Sequence, residues 1–306
     1  PEAARAYRRA LNILERAEAP RQMRDTLHLL ARVTGAMGDQ SAVQLYEQTL
    51  ELTREIGDGR EVGVVLRELG DVHREAERIG PAIQFYQAAL EHQPAGEASD
   101  ERVSTLRSLG RAYARQQRYD EARAMWSEAL ELSRDLPDRS PLQIALTYHS
   151  IAEAHRVQEH YPEAEKAYRE ALKLHVPGTV EAAATWRALG QVLHAAGRYD
   201  DALDALRRAF EAEKAQPQQA NARLVQTLQL LAATNEARGD LAQAIARHHE
   251  VLVYMDRRLQ PVGYAETLRT LGKLYRESGR VDHALKALDE ALEIENGHAP
   301  RSDERI

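Results

Sequence analysis

The sequence predicts an all-α fold: a solenoid of about seven helix pairs preceded by one orphan helix. Three observations carry this. One phrase recurs along the chain: LGRAYARQQRYDEA from Leu109 to Ala122, LGQVLHAAGRYDDA from Leu189 to Ala202 and LGKLYRESGRVDHA from Leu271 to Ala284. Large apolar residues around each phrase recur one helical turn apart, the spacing of an amphipathic helix. Prolines gather between the phrases, at Pro20, Pro94, Pro137, Pro141, Pro177, Pro217 and Pro261, where helices stop and restart. The composition agrees: 43% hydrophobic and 29% charged residues in a chain of 306 is a soluble, globular balance. Ala, Leu, Arg and Glu dominate, and all four favour helix.

Weaker copies of the phrase are LGDVHREAERIGPA (Leu69 to Ala82), IAEAHRVQEHYPEA (Ile151 to Ala164) and LAATNEARGDLAQA (Leu231 to Ala244), with the most degenerate from Leu30 to Ala42. The opening PEAARAYRRAL matches PEAEKAYREAL from Pro162, so Pro1 reads as the middle of a repeat in a piece of a longer protein. The small residue of the first helix falls at 31, 70, 110, 152, 190, 232 and 272. The alanine of the second helix falls at 3, 42, 82, 122, 164, 202, 244 and 284. Within a repeat the gap is 12 in six copies and 11 in the first; between repeats it is 26, 28 or 30. The turn inside each repeat is therefore of fixed geometry, and length varies only in the connection to the next. Gly70, Gly110, Gly190 and Gly272 are expected to meet Ala82, Ala122, Ala202 and Ala284 where two helices approach closely. The residues four before the glycine and four after the alanine, Trp186 and Trp126 among them, read as core.

Several classes of function find no support. Without Cys there is neither a disulfide framework nor a thiolate metal site. No apolar run is long enough to span a membrane, and no apolar signal core opens the chain, so a cytoplasmic location is expected. A formal net charge of −7 argues against non-specific nucleic-acid binding. G-x4-G-K-[ST], G-x-G-x-x-G and H-E-x-x-H do not occur. His155 with His160, and His248 with His249, do not share a helix face and read as polar-tipped core fillers. No catalytic residue, metal ligand or cofactor is expected, and the chain is not expected to be an enzyme.

The pattern [WLY]-x2-L-G-x2-Y-x3-G-x-Y-x2-A-x3-[YF]-x2-A-L, running from Pro1 to about Ile294, resembles the tetratricopeptide repeat (TPR) signature. The period averages about 40 residues rather than 34. This is similar to the longer-helix subclass of kinesin light chains and of the C-terminal sensor arrays of bacterial signal-transduction ATPases with numerous domains (STAND). ALELSRDLPD (Ala129 to Asp138) and TLELTREIGD (Thr49 to Asp58) look most like the latter. The resemblance implies a right-handed superhelical solenoid over residues 1–296: a half repeat at 1–18, then repeats at 20–57, 59–93, 99–136, 140–176, 179–216, 218–259 and 261–296. A polar tail, 297–306, is expected to be disordered.

The resemblance also implies a non-catalytic, protein- or peptide-binding scaffold, here the ligand-sensing array of a larger bacterial signalling ATPase. A stand-alone adaptor for complex assembly is the alternative, and an RNA-backbone-binding repeat a more distant one. In this family first helices line the concave face. The position three before the signature Gly/Ala reads His28, Arg67, Arg107, His149, Arg187, Gln229 and Arg269, basic or neutral throughout. The candidate ligand-binding residues are His28, Arg67, Arg107, Arg111, His149, Arg187, Arg269 and Lys273. Two readings of this ladder stand. It is a groove for acidic side chains or phosphates, which Arg forks suit, or it is a by-product of a chain in which 36 of the 41 basic residues are Arg. Tyr7, Leu11 and Leu14 at one end, and Leu285, Leu288, Leu292 and Ile294 at the other, are expected to be exposed and to favour self-association.

Overall fold

A computed structural model describes residues 2–136, 140–215 and 221–298, which form fifteen α-helices. They are α1 (Glu2–Arg16), α2 (Pro20–Ala36), α3 (Ser41–Ile56), α4 (Gly59–Glu75), α5 (Ile79–Glu91), α6 (Asp100–Arg115), α7 (Tyr119–Arg134) and α8 (Pro141–Val157). The remainder are α9 (Tyr161–Leu174), α10 (Val180–Ala195), α11 (Tyr199–Lys214), α12 (Asn221–Arg238), α13 (Leu241–Tyr254), α14 (Pro261–Glu277) and α15 (Val281–His298). Even-numbered helices are the first helices of the repeats, and odd-numbered ones the second. Gly297 and His298 continue α15 rather than opening a tail; residues 299–306 of the expected tail lie outside the described residues. The chain forms two compact units, one up to Ala154 and one from His155.

The fixed spacing inside a repeat has a backbone cause. Seven residues after each signature Gly/Ala stands a residue with positive φ: Gly38, Glu77, Gln117, Glu159, Gly197, Gly239 and Gly279. The next N–H donates to the carbonyl five residues back in every case, as in Arg78 to His73 (2.9 Å), Arg118 to Tyr113 (3.0 Å) and Arg280 to Tyr275 (2.8 Å). This is the Schellman ending, which satisfies an orphan carbonyl and turns the chain back. Glycine adopts this conformation freely. Glu77, Gln117 and Glu159 adopt it against a Cβ penalty of about 1–2 kcal/mol.

The close approach differs from the expected Gly–Ala contact. A Cβ on Gly70 would lie 2.6 Å from Tyr86 Cε1, on Gly190 2.6 Å from Leu206 Cγ, and on Gly272 2.7 Å from Leu288 Cγ. On Gly110 it would lie 2.7 Å from Trp126 Cδ1. The glycine therefore makes room for the large residue four after the alanine, not for the alanine itself. Ala82, Ala122 and Ala202 are fully buried beside it. Tyr86, Tyr168 and Leu206 are fully buried as well, and Trp126 almost so. Trp186 is only half-buried, with the Arg208 guanidinium 5.0 Å above its ring. His248 is buried as a core filler, its Nε2 3.0 Å from Glu236.

A polar joint between successive repeats was not foreseen. Five residues before the signature Gly/Ala, six of seven repeats carry Thr, and Thr105, Thr147, Thr185, Thr227 and Thr267 are buried. Four of these meet the end of the preceding second helix. Gln93 Nε2 donates to Thr105 Oγ1 (3.2 Å), and His175 Nε2 lies 3.2 Å from Thr185 Oγ1. Thr227 Oγ1 donates to Glu213 Oε2 (2.7 Å), and Thr267 Oγ1 sits 3.9 Å from Met255 Sδ. Burial holds the His175 imidazole below its ordinary pKa, so the folded joint favours the neutral ring.

At the chain ends, Tyr7, Leu11 and Leu14 are half-buried rather than exposed, because α1 packs on α2. Leu285, Leu288 and Leu292 of α15 are exposed as expected, whereas Ile294 is buried in the core of the second unit.

Two substitutions test these devices. Gln117→Gly is expected to raise stability by about 0.5–1 kcal/mol, the left-handed strain relieved less the added freedom of the unfolded chain. Gly197→Gln should lower it, both read as shifts of the urea midpoint at constant slope; an unmoved midpoint for both would contradict the strain. His175→Gln reproduces the Gln–Thr joint made by Gln93 and Thr105. A His whose folded pKa is lowered contributes stability above its unfolded pKa of about 6.5 that is lost as pH falls below it. Melting temperature should therefore fall less between about pH 7 and pH 5 in His175→Gln than in the parent. His73 and His249, also lowered by burial, supply the background slope common to both proteins.

Candidate functional site

In the first unit, the first helices α4, α6 and α8 enclose a recess of about 520 Å³. Arg67, Asp71 and Arg74 come from α4, Ser104, Arg107 and Arg111 from α6, and Gln143 from α8. Helical periodicity places them. Arg67, Asp71 and Arg74 stand one turn apart on α4, as do Ser104, Arg107 and Arg111 on α6, so each trio shares one side of its helix.

The charges on the two helices differ in how they are compensated. On α4, Arg67 Nη1 donates to Asp71 Oδ2 (2.8 Å) and Nη2 to Glu68 Oε1 (3.2 Å). Asp71 Oδ1 also accepts from Tyr86 Oη (2.7 Å) and Ser108 Oγ (3.2 Å). Burial, then the charge of Asp71, hold the Tyr86 phenol above its ordinary pKa, so it remains a donor. Arg74 lies 3.4 Å from Glu75 and 3.7 Å from Asp71. On α6, Arg107 donates to the side-chain oxygen of Gln143. Neither Arg107 nor Arg111 has a carboxylate partner among the described residues. Burial, then the charge of Arg111, push the Arg107 guanidinium down to about 10, so it is still a cation at neutral pH.

The remaining ladder residues are placed as follows. His28 of α2 sits between two carboxylates, Nε2 2.7 Å from Glu68 and Nδ1 3.2 Å from Glu61. Burial alone would raise the Glu68 pKa. The hydrogen bond from His28 and the charges of His28, Arg67 and Arg32 outweigh it and hold the carboxyl low. His149 is half-buried on α8 and has contacts of its own. In the second unit, Arg187 is 2.5 Å from the buried Glu213, Arg269 is 2.9 Å from Glu295, and Lys273 is 3.9 Å from Glu277. The recess thus gathers Arg67, Arg107 and Arg111 and leaves His28 and His149 outside its lining. Arg74 joins these arginines as a basic residue of the same face, whereas Ser104 and Gln143 were not foreseen as part of it. Arg74 lay in the sequence one turn beyond Gly70, on the same face as Arg67.

Among the described residues no group of three His, Asp or Glu side chains is arranged to hold a metal ion. None of the described helices is long and apolar enough to cross a membrane.

The tetratricopeptide repeat family matches residues 22–95, 101–175, 143–215 and 223–295. Comparison with curated proteins gave no match. Among solved structures, a signal transduction ATPase with numerous domains carrying a tetratricopeptide repeat sensor, from Pyrococcus horikoshii, aligns with a TM-score of 0.69 at 16% identity, over 96% of this chain and 44% of that one. BtubC (BKLC) from P. vanneervenii aligns at 0.59 and 17% identity, over 76% of this chain and 96% of that one. A putative kinesin light chain from Podospora anserina with nearly identical TPR-like repeats aligns at 0.53 and 14% identity, over 65% and 98%. At such identities the likeness speaks for the fold. With the family pattern covering most of the sequence and each copy falling on observed helix pairs, the chain belongs to the tetratricopeptide repeat family.

Proposed function

We propose that this chain is a non-catalytic scaffold that captures a protein or peptide, serving as the ligand-sensing array of a larger bacterial, cytoplasmic signalling ATPase. The observation that carries the binding role is the uncompensated pair Arg107 and Arg111 in the α4–α6–α8 recess. Two cations one turn apart repel each other on a helix. A bound carboxylate removes that repulsion and accepts charge-assisted hydrogen bonds from both forks. The ligand therefore presents an acidic side chain, with Ser104 and Gln143 as further polar contacts. No aromatic side chain lines the recess to stack on a base, which favours a peptide over RNA. In the second unit, Arg269 and Lys273 stand at the corresponding positions of α14. Their partners are exposed, and exposed pairs are readily exchanged for others. Arg187, tied to the buried Glu213, holds its own repeat together.

The likeness to the sensor-bearing ATPase over 96% of this chain supports the larger context. The reading expects a G-x4-G-K-[ST] motif upstream in the same gene. Its absence from the complete gene would leave the stand-alone adaptor instead.

The binding role is tested with a fluorescent Glu-rich peptide and its Gln-for-Glu counterpart. Arg107→Gln with Arg111→Gln should weaken the Glu-rich peptide about tenfold or more, with unchanged helicity. Binding should also weaken with salt, through screening. Equal affinity in the double variant would show the two arginines to be a solvated surface. Self-association belongs to the same reading, through Leu285, Leu288 and Leu292 of α15. Light scattering should show mass rising with concentration, and Leu285→Lys with Leu292→Lys should abolish the rise. A constant mass in the parent protein would remove this face as a contact.

A further inference from the structure

The second helices of the first unit carry a surface of opposite character. Between α1 and α3, with α2 as its floor, lies a groove of about 370 Å³. Leu11, Met23, Leu27 and Leu52 supply its apolar lining, and Glu15, Glu51 and Glu55 its polar rim. No basic residue lines it. Its size falls in the range that accepts a few large apolar side chains, and Met23 lends it an adaptable wall.

Some carboxylates of other second helices are neutralised locally: Glu121 with Arg118, Glu170 with Lys173, Glu165 with Arg169 and Arg198. The side chains of Glu15, Glu51 and Glu55 have no hydrogen bond or ion pair among the described residues. Glu47, Glu51 and Glu55 follow one another at i, i+4 and i+8 on α3, a spacing at which like charges destabilise a helix. The neighbouring groove on the other side of α3 carries Arg54 beside Glu47 and Glu51, whereas the charged residues that line the α1–α3 groove are all acidic.

We propose that the α1–α3 groove docks a basic amphipathic helix of a partner protein. Its apolar side chains would seat on Leu11, Met23, Leu27 and Leu52, and its Lys or Arg residues would face Glu15, Glu51 and Glu55. Helix-in-groove recognition uses anchors at i, i+3 or i+4 and i+7. Long basic side chains can lay their stems along such a floor while their heads reach the rim. The groove shares no residue with the recess at Arg107, and it is built on different helices. The chain therefore carries two docking surfaces of opposite charge preference.

The four methionines supply a site-specific reporter. With methyl-labelled Met, a synthetic amphipathic helix bearing Leu on one face and Lys on its flanks should shift the Met23 resonance and leave Met255, in the other unit, unmoved. The same peptide with Glu in place of Lys should shift neither. Glu51→Gln with Glu55→Gln should weaken the Lys peptide about tenfold without lowering the melting temperature, since both side chains are exposed and their mutual repulsion is relieved. Arg107→Gln with Arg111→Gln should leave its affinity unaltered, so failure of the recess reading and failure of this one are distinguishable. The proposal is overturned by an unmoved Met23, by equal shifts from the two peptides, or by equal affinity in the Glu51, Glu55 variant. A Met23 shift that follows protein concentration without peptide overturns it too, because the occupant would then be a second copy of the chain.

Discussion

Seven times along the chain the same backbone hydrogen bond folds a second helix back against a first, and every other feature presupposes it. The bond runs between fixed positions, so the residues after the turn enter the second helix at a fixed phase. That phase decides which side chains face inward. It sets Tyr86 against Gly70 and Trp126 against Gly110, and it leaves the adjoining flank of the first helix for Arg67 and Arg107. A hairpin of two helices cannot bury both its faces alone, so the pairs stack, and the buried threonines mark where one pair meets the next. The cores differ in detail, with Val62, Val65 and Leu66 in one repeat and Leu224, Leu228 and Phe210 in another. The turn does not differ.

The fold was legible because its determinants are local. Helix number, the turn inside each repeat and the variable connections all follow from residues within one repeat. What was misread was direction. On a helix, long side chains lean back toward the N-terminus. The residue that covers the spot beside Ala122 is therefore Trp126, one turn on, and the glycine answers the large residue and not the small one. The binding ladder was half legible. A column of basic residues on first helices is visible in sequence, but its compensation is not. Glu213 and Glu295 approach Arg187 and Arg269 from second helices, and Glu68 reaches His28 from the next repeat. Only the folded arrangement separates Arg107 and Arg111, which lack such a partner, from the others. The threonine joints escaped notice because a lone Thr in an apolar run carries no sign of what it will touch.

The first unit shows how one architecture presents two chemistries. First helices and second helices face different surroundings, and the stacking of repeats opens a concavity among the former and furrows among the latter. Sequence then colours each. Arg107 and Arg111 line the concavity without an ion-pair partner of their own, and Glu51 and Glu55 border a furrow lined by no cation. Neither pair is needed for the hairpin, and both act against their own helices by like-charge repulsion.

The three turns closed by Glu77, Gln117 and Glu159 fall in succession, whereas those from Gly197 onward are closed by glycine. In an array where repeats touch only their neighbours, free energy is a local property with a profile along the chain. The turn where α6 passes into α7 is one of the three. There the indole N–H of Trp126 donates to the carbonyl of Arg107 (3.2 Å), which ties the first helix that bears Arg107 to the second. A ligand held at Arg107 would therefore draw that repeat toward the closed hairpin, since whatever binds the folded form alone stabilises it.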